Sequence, residues 1–294
     1  MIEGGGSQNH AVCSQSFFIL LTSSALMELS MLEAVVLSII QGLTEWLPIS
    51  SSGHLAVANI LMGTDMPLLF SLALHAGTLG AVFFVFRSDL ADMARSLPRI
   101  FKNMLLLRSP AMEDKDAWFT LYVLAASIPA ALAGYYLKNT AEETFSNTLF
   151  LAAAFTFTGL LLLSTRNITA KKNVNMKRGL VVGIAQIATI FPAVSRSGVT
   201  ISTSLHTGIE RREAARFSFI LSIPLILGST IYEASISTST GALLPQMIVG
   251  GLISFMVGIL SLKFLLAVIS RGRLYLFAPY CLFMGFAMLL LSIL

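Results

Sequence analysis

Long apolar runs dominate the chain, and six are near the length that crosses a membrane: about 66–87, 117–138, 147–165, 213–233, 245–268 and 275–294. A hydrocarbon core of about 30 Å takes roughly 20 apolar residues as helix, so each run predicts one transmembrane helix. Two more apolar stretches, 32–61 and 179–208, break in the middle. Pro48-Ile49-Ser50-Ser51-Ser52-Gly53-His54 interrupts the first, and Pro192-Ala193-Val194-Ser195-Arg196-Ser197-Gly198 the second. Two apolar halves around a polar break predict a re-entrant helix hairpin, because irregular backbone at membrane depth survives only beside protein or a polar cavity. The expected fold is an all-α integral membrane protein with six transmembrane helices and two re-entrant hairpins. Residues 1–10 are polar and Gly-rich, and the apolar run Phe17–Leu29 is too short to span and lacks the basic start of a signal peptide. Residues 1–30 are expected to form a peripheral or disordered extension, and 31–294 a single polytopic membrane domain.

Composition agrees. Of 294 residues, 55% are hydrophobic and only 12% charged, about half the roughly 25% of a soluble globular domain. That excludes soluble and disordered classes. The net charge of +4 does not imply nucleic acid, since excess Lys and Arg are normal in cytoplasmic membrane loops. Cys13 and Cys281 have no metal-ligand spacing, and His10, His54, His75 and His206 share no metal-binding pattern.

Loop charge orients the layout. Loop 87–116 carries Arg87, Arg95, Arg99, Lys102, Arg108 and Lys115, and loop 166–178 carries Arg166, Lys171, Lys172, Lys177 and Arg178 without an acid. Arg211, Arg212 and Arg216 precede the fourth span, and Arg271 and Arg273 separate the last two. Putting all of these in the cytoplasm makes hairpin 32–61 enter from outside and 179–208 from inside, with both chain ends outside. Each half is then one hairpin and three spans, about 31–165 and 179–294, in opposite orientation. Aligning Gly53 with Gly198 places Gln41 on Gln186 and Ser52 on Ser197, with Ser51 facing Arg196. Inverted repeats with broken helices place a binding site at the repeat interface near the bilayer midplane.

The two breaks carry the candidate chemistry. Gln41 and Glu45 share one helix face, and Glu45 is the only carboxylate in the apolar part of its hairpin. Ser50, Ser51, Ser52 and Gly53 then open a half-helix, with His54 next; Ser195, Ser197 and Gly198 open another around Arg196. Helix N-termini attract anions, and the guanidinium fork suits phosphate oxygens. Taken singly, the serines read as caps, Glu45 as an ion-pair partner and His54 as a satisfied core group. Taken together, two helix N-termini, Arg196 and several hydroxyls fit a phosphate or pyrophosphate, with Thr200 and Ser202 either lining the site or bonding back onto their helix. His75, four residues after Ser71, reads as an interhelical hydrogen-bonding group, and Trp46, Trp118 and Tyr135-Tyr136 as interface or packing residues.

The string Gln41-Gly-Leu-Thr-Glu45-Trp-Leu-Pro48-Ile-Ser-Ser-Ser-Gly-His54, with Phe191-Pro-Ala-Val-Ser195-Arg196-Ser197-Gly198 and Glu213-Ala-Ala-Arg-Phe-Ser-Phe-Ile-Leu-Ser-Ile-Pro224, resembles the undecaprenyl-diphosphate phosphatase family of bacitracin-resistance membrane phosphatases. The resemblance runs from about Met31 to the C-terminus. It implies hydrolysis of a polyprenyl diphosphate carrier lipid to the monophosphate and inorganic phosphate, in the cell membrane, at a site facing outside, in support of cell-wall glycan assembly. It also implies a divalent cation, Mg²⁺ or Ca²⁺, and catalytic roles for Glu45, Ser51, His54 and Arg196, with Glu45 as metal ligand. The partners it implies are the lipid and the bilayer, with no nucleic acid; a homodimer is left open. Gln41 stands where family members commonly have Glu, and Ala193 where Gly is usual. In the expected mechanism Ser51 attacks the terminal phosphorus with His54 or Glu45 as base, a histidine nucleophile or direct water attack being the alternatives. The rival class is a transporter moving a polyprenyl phosphate through the same anion site; Glu45, Ser51 and His54 together argue for the enzyme, since a carrier needs no base beside a hydroxyl.

Overall fold

The computed structural model describes residues 29–63, 66–106, 114–145, 147–236 and 243–293, so the extension expected over 1–30 lies almost wholly outside the described residues. Hairpin one is two helices, α1 (Met31–Thr44) and α2 (Ser51–Met62). Then come α3 (Leu68–Val85), α4 (Arg87–Leu105), α5 (Lys115–Glu143) and α6 (Thr148–Leu163). Hairpin two is α7 (Met176–Ala185), a 3₁₀ turn at Gln186–Ile190, and α8 (Arg196–His206). The chain closes with α9 (Arg211–Ile236), α10 (Leu244–Ser270), a second 3₁₀ turn at Leu274–Phe277, and α11 (Ala278–Leu291).

Among the described residues, five helical stretches are long and apolar enough to cross a membrane: Leu68–Val85, Lys115–Leu137, Arg211–Ser235, Leu244–Ser270 and Leu274–Leu291. The protein is thus a multi-pass membrane protein. The run expected as a span over 147–165 forms a helix of 16 residues, short of the roughly 20 that cross unaided. The stretch 87–116, expected as a loop, is helical over most of its length. Leu97, Phe101, Met104 and Leu105 fall on one exposed face of α4 and its charges on others, the pattern of a helix lying along a membrane surface. Two ties hold it. Arg216 Nε lies 2.5 Å from Asp89 Oδ1, and Arg99 grips Asp114 through contacts of 2.8 and 3.1 Å. The hydrogen bonds from Arg99, with one from the Ala117 amide, keep the Asp114 carboxyl below its usual range.

Apolar burial cannot drive helix association inside lipid, so close backbone approach must do it. The sequence provides for this with small residues at the crossings. Gly77 of α3 lies against the backbone of Gly251 in α10, and Gly183 of α7 against the backbone of Ala126 in α5. Gly42 of α1 meets Val257 and the Ser254 carbonyl of α10, and Gly285 of α11 meets Thr156 and the Ala152 carbonyl of α6. Serines reinforce the seam: Ser254 Oγ donates to the Ser38 carbonyl at 3.1 Å and Ser261 Oγ to the Gly42 carbonyl at 2.9 Å.

The pairings have an internal symmetry. The first hairpin's α1 packs on α10, and the second hairpin's α7 packs on α5; α3 pairs with α10, and α9 with α5. Exchanging the halves converts each pairing into the other. Two further pairs, α6 with α11 and α3 with α9, each map onto themselves. Each hairpin is therefore braced by a helix of the opposite half, which brings the two breaks together.

Candidate active site

Each break ends in the same local structure. Ser50 caps α2, its Oγ accepting from the Gly53 amide at 3.3 Å and lying 3.2 Å from Ser52 Oγ. Ser195 caps α8, its Oγ accepting from the Gly198 amide at 3.1 Å and lying 3.3 Å from Ser197 Oγ. The first amides of both helices have no intrahelical acceptor, which makes both ends electropositive. One non-glycine residue in each break takes a positive φ, Ser50 at 69° and Ala193 at 63°.

The tips interlock reciprocally. The Ala193 amide donates to Ser52 Oγ at 3.3 Å, and Ser197 Oγ donates to the Leu47 carbonyl at 3.2 Å. A Cβ on Gly53 would sit 2.5 Å from Phe155 Cζ and 2.9 Å from both Cα and Cβ of Ala193. Gly53→Ala is therefore expected to push the tips apart and lower activity at least tenfold with helix content unchanged, by phosphate-release assay beside circular dichroism. Ala193→Gly should be nearly silent. Relief of the left-handed backbone, about 1 kcal/mol, offsets the loss of a buried methyl of about 0.8 kcal/mol; the thermal midpoint in detergent checks this.

Between the tips lies one connected polar chain. Arg196 Nη2 donates to Glu45 Oε1 in an ion pair across the hairpins. Glu45 Oε2 accepts from Ser51 Oγ at 2.6 Å and from Gln41 Nε2 at 3.0 Å. The guanidinium also lies over the Trp46 ring, 5.4 Å from its centroid. Glu45 is buried, and only 14% of the Arg196 side chain is exposed. Two buried polar atoms in this chain have no partner: Arg196 Nη1, a donor, and Gln41 Oε1, an acceptor. An unmet donor on a guanidinium at such a site is costly unless an anion completes it.

His54 is held on both nitrogens. Nδ1 is 2.6 Å from the Ser50 carbonyl and Nε2 is 2.6 Å from the Tyr280 hydroxyl of α11, while Phe155 presents its ring at right angles. No hydrogen bond among the described residues joins His54 to Ser51.

Other expected site residues are placed differently. Thr200 bonds back to the Arg196 carbonyl at 2.8 Å and contacts Ser218, tying α8 to α9 instead of facing the tips. His75 bonds within its own helix, to the Ser71 carbonyl at 2.9 Å, in place of the interhelical bond expected. Several residues of the site carried no sequence signal of their own. Tyr280, Phe155 and Thr158, whose Oγ1 accepts from the Ser195 amide at 3.2 Å, look like ordinary span residues.

The residue set also tests the expected cation. Among the described residues no three His, Cys, Asp or Glu cluster closely enough to hold a metal. One carboxylate, Glu45, and the unpartnered amide oxygen of Gln41 stand together with hydroxyls. That donor set suits a hard cation completed by substrate phosphates and water, as Mg²⁺ commonly is. A Gln in place of Glu at 41 keeps an oxygen ligand but removes one charge.

Comparison with known proteins fits this geometry. The sequence profile of the bacitracin resistance protein BacA family matches residues 34–287, which include both hairpins and every helix from α2 to α10. The chain belongs to the BacA family. Curated relatives agree along nearly their whole length. A protein of Korarchaeum cryptofilum named undecaprenyl-diphosphatase is 40% identical over 257 residues, covering 87% of this chain and 97% of its own. Its namesakes in Desulfosudis oleivorans and Methanosphaera stadtmanae are 41% and 33% identical, covering 86% and 90% of this chain and 96% and 99% of theirs. Within this BacA chain, the matched region holds the whole interlocked pair of tips and Tyr280 as well.

Proposed function

We propose that this protein is a membrane phosphatase that hydrolyses undecaprenyl diphosphate, or a polyprenyl diphosphate of similar chemistry, to the monophosphate and inorganic phosphate. The observation that carries the reading is the buried chain Arg196–Glu45–Ser51 at the junction of two helix N-termini, with Arg196 Nη1 left free to take a phosphate oxygen. The relatives' shared name points to the same reaction.

The diphosphate enters between the N-termini of α2 and α8, where backbone amides and Arg196 neutralise its charge as it redistributes in the transition state. Ser51 Oγ attacks the terminal phosphorus, and its proton passes to Glu45 Oε2, the base it already contacts. His54 is not that base, since Ser51 Oγ bonds to Glu45 and no hydrogen bond among the described residues joins it to His54. As the Ser51–phosphorus bond forms, the bridging phosphorus–oxygen bond breaks, and the departing polyprenyl monophosphate takes a proton from the His54 imidazolium. Water then attacks the phosphoserine, its proton going to His54, while Ser51 Oγ leaves with the proton held by Glu45. Glu45 and Gln41 Oε1 would hold a divalent cation, which would supply further charge neutralisation on the diphosphate.

The reciprocal helix pairing supports an inverted repeat of residues about 31–165 and 179–294 with six spans, the short α6 included, and two re-entrant hairpins within one membrane domain. With the Lys- and Arg-rich segments in the cytoplasm, both ends and the mouth of the site face outside the cell membrane, where the prenyl tail stays in lipid. Incubation of purified protein with farnesyl or a longer prenyl diphosphate, with and without EDTA, tests the reading. Phosphate release that EDTA suppresses supports it; binding of the lipid without turnover overturns it in favour of a carrier.

A further inference from the structure

Tyr280 and Cys281 occupy the first turn of α11, entered through Pro279, and both touch hairpin one. Cys281 Sγ faces the Pro48 carbonyl at 3.5 Å and Tyr280 reaches His54 Nε2 at 2.6 Å, so the last helix of the chain is fastened directly to the first break. The Tyr280 ring lies nearly parallel to the His54 ring, 7° between planes and 5.6 Å between centroids. Burial does not force this bond. A buried tyrosine hydroxyl must find a partner, but Tyr280 is 41% exposed and has other options.

The atoms decide what the bond does. A carbonyl oxygen only accepts, so His54 Nδ1 carries a proton and donates it to Ser50. In the neutral ring Nε2 is then the acceptor, and the Tyr280 O–H donates to it. When the ring is an imidazolium, Nε2 donates instead, and the same hydroxyl accepts by turning about its C–O bond. Tyr280 therefore matches both protonation states without movement of the ring, and a phenyl group matches neither. We infer that Tyr280 is a positioning residue for the reaction: the Ser50 carbonyl keeps a proton on Nδ1, and Tyr280 holds the plane of the His54 ring in both protonation states, so that proton gain and loss occur at Nε2 alone. The inference rests on the proton-transfer role given to His54 above.

The experiment compares wild type, Tyr280→Phe, His54→Ala and the double variant in detergent, by kcat and KM for a prenyl diphosphate and by ¹⁵N NMR of histidine-labelled protein at alkaline pH. His54 resonances are assigned by their loss in His54→Ala. Wild type and Tyr280→Phe are both expected to show His54 as the Nδ1–H tautomer, with the Nε2 resonance of the wild type displaced by the Tyr280 hydrogen bond and that displacement lost in Tyr280→Phe. Tyr280→Phe should lower kcat roughly tenfold with KM within about twofold, short of the roughly 10²-fold or greater loss expected for His54→Ala when a proton-transfer group is removed. The double variant should be no worse than His54→Ala. An unchanged Nε2 resonance in Tyr280→Phe, a wild-type kcat, or fully additive losses would each overturn the inference. A wild-type rate in His54→Ala removes the role of His54 and Tyr280 together but leaves Ser51, Glu45 and Arg196 in place. Absence of phosphate release by the wild type fails the parent reading itself, and the NMR comparison separates that failure from this one.

Discussion

Arg196→Ala is expected to lower phosphate release by about 10³-fold or more, the scale at which a guanidinium serving phosphoryl transfer acts. The loss should fall mainly on kcat, because a charge that grows in the transition state is met more strongly there than in the bound substrate. The same substitution strands Glu45, buried and ionised with no cation across from it. Removing one member of a buried ion pair commonly costs about 3–5 kcal/mol, so the variant should also melt earlier. Arg196→Lys separates the two effects: a point charge restores much of the stability, but without the planar fork it reaches Glu45 or the phosphate, and not both. Thermal midpoints and steady-state kinetics on the three proteins check this. A stable Arg196→Ala protein with wild-type turnover would remove Arg196 from the mechanism.

Much of this arrangement was legible in the sequence. Where one physical requirement dominates, the reading held. Apolar runs of membrane length became helices at the expected places, and Ser50 and Ser195 each cap the half-helix their hydroxyls announced. Glu45 and Arg196 are charges set within the apolar hairpins, and the fold pairs them. Competing signals made the rest hard to read. In 87–105 the charge density suggested a loop, yet an apolar stripe at helical spacing over 97–105 was there to be weighed against it. Tyr280 stands 226 residues from His54 in an apolar run, and nothing local distinguishes it from a tyrosine facing lipid.

The two halves share a scaffold and divide the chemistry. In the alignment that sets Gly53 on Gly198, the cap Ser50 falls on Ser195 and Ser52 on Ser197, and both pairs make the same cap contacts. Glu45, however, falls on Ile190, Ser51 on Arg196 and His54 on Val199. In the proposed mechanism the first half contributes the nucleophile and both proton carriers, and the second contributes the guanidinium. Gln186, the counterpart of Gln41, is buried with neither side-chain polar atom bonded, where Gln41 still serves Glu45. A symmetric anion cradle with asymmetric reactive groups suits one diphosphate, whose two phosphates must be treated differently.

Glu45→Gln puts that division to its hardest test. The amide is the same size as the carboxylate and can still accept from Ser51 through its oxygen, but it cannot take the Ser51 proton. Loss of a positioned base costs about 10²–10⁴-fold in rate, and the variant should lie in that range with its helix content intact. Glu45→Asp keeps the charge and withdraws it by one methylene from a 2.6 Å contact with Ser51, so its activity should be intermediate. The Gln variant also leaves the Arg196 guanidinium without a counter-ion. It should then bind inorganic phosphate, or a non-hydrolysable diphosphate, more tightly than the wild type does, because Glu45 no longer competes for the cation. Slow turnover with tightened anion binding is a combination that general damage to the fold does not produce. Weakened anion binding alongside slow turnover would instead place Glu45 in the structural support of the tips, and the base would have to be sought elsewhere.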